Sequence, residues 1–372
     1  MIWLLLIVVV VAIVLEYRSL HLPIRLVQYH IVPSKRSVEQ GEEFQIHTII
    51  ENATNYNIPY LLLEETIPNV VKIKQRESLH IVASGTTWVH RNTLFIKKHQ
   101  RVKRSISAVI YQRGIFHFRE AQLFFGDFLG IKEKERVIKQ NQSIVVYPRC
   151  MEDERLNTIL SDIFGEISIR SFLFEDPMLV LGYRDYTGRE PLRSISFPIT
   201  ARRNQMTVKE FDHTREELVD LIFDVEYKGE FDHYFDQREA TFCVVRTLCE
   251  TFEKKGISYR LITNAYYAEM EVKGVNVIQS GGSGGSSFGK ILDVLGMASG
   301  ASMCKAEELL HYAFGHFSQE KEFIYIAQRR EQETQKRIVE IEHRYRTKVY
   351  GIYGEDYEQT YIEQIKHKGE EI

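Results

Sequence analysis

The chain opens on an unbroken apolar run, Ile2 to Leu15 (IWLLLIVVVVAIVL), with no polar face interrupting it. At about 1.5 Å per residue this run crosses roughly two thirds of a ~30 Å hydrocarbon layer. Met1 and the stretch Tyr17 to Leu20, with Arg18 snorkelling to the headgroups, extend it to about 20 residues, the usual length of a span. No basic stretch precedes the run and no small-x-small cleavage site stands before Glu16, which favours a retained anchor over a cleaved signal peptide. Residues 1–20 are therefore expected to form a single transmembrane helix. Arg18, Arg25, Lys35 and Arg36 follow it and only the terminal amine precedes it, so the remainder is expected on the cytoplasmic face of the cell membrane.

From 25 to 149 the period falls to two. Phe44, Ile46, Thr48 and Ile50 share one parity, and the run ends at Asn52-Ala53-Thr54. Further runs stand at Tyr60 to Leu63, Leu79 to Val82, Thr93 to Ile96, Ser105 to Tyr111, Ile115 to Phe125 and Ser143 to Val146. About seven short strands in roughly 125 residues predict an antiparallel β-sandwich of immunoglobulin-like type. It lacks the Cys, Trp, Cys spacing of antibody domains.

Residues 150–214 form a connector, with a short helix expected around Asp153 to Ile163. Beyond 215 the pattern changes to alternating strands and helices. Leu218 to Val225 and Ser258 to Thr263 are buried-strand runs, and Val275 to Ile278, Phe323 to Ala327 and Lys348 to Tyr353 are further strands. Helical spacing marks His233 to Lys255, Phe288 to Ala298, Cys304 to Phe314 and Glu331 to Tyr345. This alternation over 215–372 predicts a doubly wound α/β domain with a mainly parallel sheet. The charged stretch Arg329 to His343 reads as a solvated outer helix.

A length of 372 residues allows more than one core, and 27% charged with 44% hydrophobic residues is ordinary for globular protein. The formal net charge of -3 gives no footprint for nucleic acid. Four cysteines without CxxC spacing indicate neither a zinc site nor a disulfide framework, and read as free thiols, mostly buried. The histidines show no ligand spacing; His311 and His316 are five apart and do not share a helix face.

The segment from Val180 to Asp212 joins the two halves. Gly182, Tyr183, Arg184, Asp185, Tyr186, Thr187 and Gly188 mix turn formers, aromatics and charges, which suits a hydrogen-bonded loop, and Met206, Val208 and Glu210 alternate as a short strand. Tyr186, Gly188, Arg193, Ile195, Ala201, Arg202, Val208, Glu210 and Phe211, in that order, resemble the signature of the DUF58 family of bacterial membrane-associated proteins. Arg189-Glu190 replaces the usual Gly-Asp continuation, and Phe197 stands where Trp is common. Arg113 to Phe116 and Gly126 to Gly130 are similar to the elements that precede that signature. The resemblance implies a von Willebrand factor A-like fold for the α/β region and a MoxR-type AAA+ ATPase as partner. DUF58 proteins often carry two adjacent spans, whereas this chain shows one. Asp127-Phe128 also invites comparison with a kinase magnesium motif, but Leu129 separates Phe128 from Gly130 and no HRD loop precedes it, so a turn is expected.

Three clusters carry candidate chemistry. Metal-binding von Willebrand A domains place Asp-x-Ser-x-Ser after the first strand; the matching positions here are Asp224, Glu226 and Lys228, of which the Asp survives while Lys228 sets a cation where a ligand oxygen is needed, leaving a degenerate metal site at Asp224 and Glu226. Gly284 to Lys290 satisfies G-x-x-x-x-G-K through Gly284, Gly289 and Lys290, but Ile291 replaces the magnesium-binding hydroxyl. Arg184, Arg193, Arg202 and Arg203, with Tyr183, Asp185, Tyr186, Gly188 and Ala201 around them, are expected to fasten domains through buried bidentate ion pairs, with capture of an anionic ligand as the alternative. No nucleophile and base are paired anywhere, and no catalytic residue, bound metal or cofactor is expected. The expected function is a membrane-anchored, non-catalytic interaction or assembly factor. Nucleotide-dependent enzyme activity at Gly284 to Lys290 and metal-dependent ligand binding through Asp224 are the alternatives.

Overall fold

A computed structural model describes residues 2–20, 22–74, 80–84, 87–127, 132–173, 180–188, 192–211, 218–227, 234–267, 274–280, 286–315 and 321–366. The chain forms two compact units: Met1–Arg149 with Asp293–Ala298 and Tyr361–Ile372, and Cys150–Leu292 with Ser299–Thr360.

The first unit starts with helix α1 (Ile2–Leu20). Its side chains Trp3, Leu6, Ile7, Val9, Val10, Val11, Ile13 and Val14 are exposed. Other side chains of α1 lie outside the described set, and among the described residues no helix is long and apolar enough to cross a membrane.

Among the described residues ten strands follow: β1 (Val27–Pro33), β2 (Ser37–Glu39), β3 (Glu43–Asn52), β4 (Ile58–Pro68), β5 (Val71–Ile73), β6 (His80–Ser84), β7 (Thr87–Ile96), β8 (Arg101–Ile110), β9 (Gly114–Gly126) and β10 (Glu133–Tyr147). They make two sheets, ordered β1-β3-β8-β5 and β2-β10-β9-β4-β7-β6. All pairings are antiparallel except the three-residue β2 against β10. The unit is a β-sandwich with more strands than the seven expected. Strands as short as β2 and β5 carry too few positions to register as alternation.

The parity of β3 buries Phe44, Ile46, Thr48 and Ile50, and that of β4 buries Leu61, Leu63, Glu65 and Ile67. Two polar residues, Thr48 and Glu65, are thereby carried into the core. Glu65 Oε1 accepts hydrogen bonds from the hydroxyls of Tyr29 on β1 (2.8 Å) and Thr48 (2.6 Å), and Oε2 lies 3.0 Å from His90 Nδ1 on β7. Asn92 Nδ2 lies 3.0 Å from His90 Nε2, and Arg104 on β8 donates to Asn92 Oδ1. Tyr29 and Thr48 belong to one sheet and Glu65 and His90 to the other, so the cluster ties the two sheets through one carboxylate. Burial first, and the adjacent Glu65 charge second, push the Tyr29 hydroxyl well above its ordinary range.

At the β9–β10 hairpin, the buried Asp127 receives the Lys132 amide on Oδ2 (2.7 Å) while its own amide donates to Lys132 O (3.0 Å). Residues 128–131 of the turn expected there lie outside the described residues.

Beyond β10 the chain forms α2 (Glu154–Leu173), β11 (Val180–Asp185), α3 (Phe197–Arg203), β12 (Thr207–Phe211), β13 (Leu218–Phe223), α4 (Tyr234–Lys255), β14 (Ser258–Thr263), β15 (Ala265–Tyr267), β16 (Asn276–Ser280), α5 (Ser286–Met297), β17 (Ala298–Ser302), α6 (Ala306–Gly315), β18 (Glu322–Ala327), α7 (Gln332–Tyr345) and β19 (Val349–Tyr353). Five strands form one sheet in the order β16-β14-β13-β18-β19, parallel except for β16. β18 is buried at every position, as expected of a strand covered on both faces. Alternate residues of β13 meet different helices. Ile222 joins Leu309, Phe314, Ile338 and Ile341 of α6 and α7, whereas Phe223 meets Phe242 of α4 edge-on at 4.9 Å. The unit is thus α/β with helices on both faces. On α7 only Thr334, Ile338 and Ile341 are buried, leaving its charged positions in solvent.

Candidate functional site

In open α/β sheets ligands bind beyond the carboxyl ends of the strands. Asp224 stands there, one residue past β13, where its amide donates to Ile326 O (2.8 Å) and prolongs the ladder to β18. Its carboxylate is buried and has three protein donors. Oδ1 accepts the Glu226 amide (2.9 Å), a local turn that short acidic side chains favour, and Asn264 Nδ2 (2.7 Å); Oδ2 accepts the Tyr325 hydroxyl (2.6 Å). Asn264 also receives the Val225 amide on Oδ1 (2.9 Å) and donates to Cys304 O (3.0 Å), while Gln328 Nε2 donates to Val225 O (2.9 Å). The strand end is therefore stitched to three neighbouring segments.

Burial raises the pKa of Asp224 in spite of these donors, and it lifts Tyr325 well above its ordinary value, with the neighbouring Asp224 charge pushing the same way. Glu226 is engaged differently: its Oε2 accepts the amide of Ala306 (2.8 Å), the first residue of α6, satisfying one of that helix's open donors. Lys228 lies outside the described residues.

A cleft of about 360 Å³ opens over this strand end, lined by Asp224, Glu226, Tyr227 and Tyr325 and rimmed by Arg329, Arg330, Glu331 and Glu333. Arg329 pairs with Glu355 (3.4 Å), and Arg330 pairs with Asp356 (2.7 Å) and covers the Tyr353 ring at 4.9 Å. The rim thus presents both signs of charge, its two arginines held by neighbouring carboxylates. Cys304 is half-buried beside it; burial first, then the carboxylates of Glu308, Asp224 and Glu226, raise its thiol pKa and disfavour a nucleophilic thiolate. Among the described residues no three His, Cys, Asp or Glu side chains stand together in a way that holds a metal ion. The four cysteines are free, with Cys243 and Cys249 buried and Cys150 and Cys304 half-buried.

The residues singled out in sequence are not gathered in one place. Gly284 lies outside the described residues, and Gly289 and Lys290 are already inside α5, which begins at Ser286, with Lys290 exposed. Gly182, Tyr183, Arg184 and Asp185, expected in a loop, form β11, antiparallel to β12 with Arg184 opposite Val208 and Asp185 opposite Thr207. Pairing with β12 supplies the hydrogen bonds that an irregular composition does not promise, and an irregularity between Val180 and Gly182 absorbs the glycine. Arg184, Arg202 and Arg203 are exposed, which departs from the burial expected of them, whereas Ile195, Thr207 and Val208 are buried. Tyr183, Asp185, Gly188 and Ala201 are also exposed and Tyr186 is half-buried; Gly188 takes a φ of 89°, suited to glycine, and the Arg193 side chain lies outside the described set.

Sequence reasoning reached Asp224 and Glu226 but missed Asn264, Tyr325 and Gln328. The signal was there in part: Asn264 and Gln328 are the polar residues immediately after the apolar strands β14 and β18. Tyr325 is inside an apolar run and reads as core.

No family model matches the chain. An uncharacterized protein, YeaD of Bacillus subtilis (strain 168), is 21% identical over 205 residues, covering 54% of this chain and 48% of that protein. The chain thus spans about half the length of this relative. Among solved structures, a non-cellulosomal cohesin from the hyperthermophilic archaeon Archaeoglobus fulgidus matches 30% of this chain and 90% of its own at 15% identity, with a TM-score of 0.21. The CARDB domain of the PF1109 protein from Pyrococcus furiosus, solved in complex with di-metal ions, matches 32% of this chain and 94% of its own at 11% identity and a TM-score of 0.20. At such scores neither likeness bears on the chemistry of this chain.

Proposed function

We propose that the chain is a membrane-anchored, non-catalytic docking protein of the DUF58 kind. In this reading α1 is a single-pass anchor in the cell membrane, the sandwich is an immunoglobulin-like domain, and the α/β unit is a von Willebrand factor A-like domain on the cytoplasmic face. The cleft at its strand ends receives a protein. The observation that carries the reading is the state of Asp224: its oxygens accept from Glu226, Asn264 and Tyr325, so the group that resemblance would assign to a metal already has protein partners. Glu226, the second candidate ligand, is engaged at the start of α6. What remains is a rim of charges of both signs, a surface suited to selecting a complementary protein face. The partner by resemblance is a MoxR-type AAA+ ATPase, and neither nucleic acid nor a cofactor belongs to the reading.

The test is co-elution of the detergent-solubilised full chain with a purified MoxR-type ATPase. Binding is expected, and reversing rim charges in Arg329→Glu with Glu333→Lys should weaken it by about tenfold. Absence of a complex, or one indifferent to these substitutions, rejects docking through the cleft. Nucleotide binding at Gly284 to Lys290 is addressed by calorimetry with ATP and Mg²⁺; heat of binding lost in Lys290→Ala would replace the docking reading with an enzymatic one.

A further inference from the structure

The hairpin formed by β11 and β12, with α3 between them, carries large apolar side chains in solvent. Leu192 is 73% exposed, Phe197 71%, Met206 46% and Tyr183 41%. Ordinary surface chance scatters such residues singly; here four fall within one short, locked substructure. The Ile195 amide donates to Leu192 O (3.2 Å), the Ser196 amide to Thr207 O (2.9 Å) and the Tyr186 amide to Met206 O (2.9 Å), so Leu192, Phe197 and Met206 sit at or beside a fixed backbone bond. Thr207 N also donates to Thr200 Oγ1 (3.0 Å), and Asn204, left-handed at φ 53°, ends α3 and returns the chain to β12. The substructure spends Ser194, Ile195, Ser196, Thr207 and Val208 on its own interior.

Among the described residues of this segment the exposed charges are mainly positive. Arg202 and Arg203 occupy the last turn of α3 and are exposed, as is Arg184 on β11; Asp185 is the exposed acid on that strand. Exposed aromatic and aliphatic side chains flanked by arginines match the interfacial layer of a bilayer, where apolar groups enter the headgroup boundary without a shaped pocket and basic groups meet lipid phosphate. A protein groove would require a complementary shape for each projecting side chain. Charge complementarity therefore favours an anionic lipid surface.

We infer that the β11–β12 hairpin with α3 is a second membrane contact, resting Leu192 and Phe197 in the headgroup layer of an anionic bilayer and holding Arg202 and Arg203 against lipid phosphate. This contact is separate from the cleft and from any protein docked there.

The test is hydrogen exchange on the full chain mixed with vesicles of phosphatidylcholine alone or with phosphatidylglycerol added. Exchange across residues 192–206 should slow by about tenfold with the anionic vesicles, and the protection should vanish in high salt and in Arg202→Glu with Arg203→Glu. Equal exchange with both vesicles overturns the inference. Protection that appears only when a MoxR-type ATPase is added, whatever the lipid, also overturns it and assigns the surface to a protein. Salt titration of the unsubstituted chain keeps the test valid should the double substitution misfold. Flotation with neutral vesicles reports on α1 separately, so failure of the anchor is distinguishable from failure of the hairpin contact.

Discussion

Asp224 shows how one side chain decides what a strand end can do. An isosteric Asn can keep the two bonds on Oδ1 and present an amide to the Tyr325 oxygen, which can accept it. Asp224→Asn should therefore cost less than about 1.5 kcal/mol, whereas Asp224→Ala leaves Tyr325 and Asn264 with buried unmet donors and should cost about 3 kcal/mol or more, read as shifts in urea midpoint. The pH dependence has a defined sign. Because burial raises the folded pKa above the ordinary 3.8, the contribution of Asp224 is fully present below that value and is lost as pH rises through the folded pKa; Asp224→Asn removes the dependence. Glu250 behaves oppositely. Burial would raise it, but the Cys150 thiol donating at 2.7 Å, with Lys254 and Arg246, brings it down to about 2. Its stabilisation is present above its ordinary 4.5 and is lost as pH falls toward 2; acid titration of the denaturation midpoint should flatten over that window in Glu250→Gln.

At the scale of elements, the sandwich depends on one polar cluster between its sheets. Removing a single partner from a buried charged cluster is far worse than never building it. Glu65→Ala, which strands Tyr29, Thr48 and His90 at once, should destabilise the sandwich by about 3–5 kcal/mol in equilibrium denaturation. A loss below about 1 kcal/mol would show that the sheets are held by apolar contacts alone. This cluster was invisible in sequence because each polar residue sits at a core position of its strand and only breaks the alternation. In the α/β unit, by contrast, the period change located the strands and helices closely: the run Ser258 to Thr263 has the bounds of β14, and Tyr234–Lys255 begins one residue after the helix expected at His233. The helix expected to stop near Ile163 continues as α2 to Leu173, past Gly165, a residue that weakens any helix reading although it sits in open space here. Of the loop expected at Gly182 to Gly188, the part up to Asp185 is a strand, because its partner, β12, is more than 20 residues away and no local pattern announces the pairing.

For the molecule as a whole, local pattern delivered the β-sandwich and the α/β alternation, while the site required contacts distant in sequence. Asp224 could be nominated because it follows an apolar strand, but the partners that close its carboxylate arrive 40 and 101 residues later, on Asn264 and Tyr325. The outcome is an α/β scaffold whose strand-end acid is engaged within the protein, and the docking proposal has its cleft serve recognition in place of reactivity. That distinction is open to a direct thermal measurement on the full chain, with Mg²⁺ or Mn²⁺ added to the wild type and to Asp224→Asn. The account predicts that neither ion moves the melting temperature of either protein; a rise in the wild type that Asp224→Asn abolishes would contradict it, because Asp224 would then be binding metal.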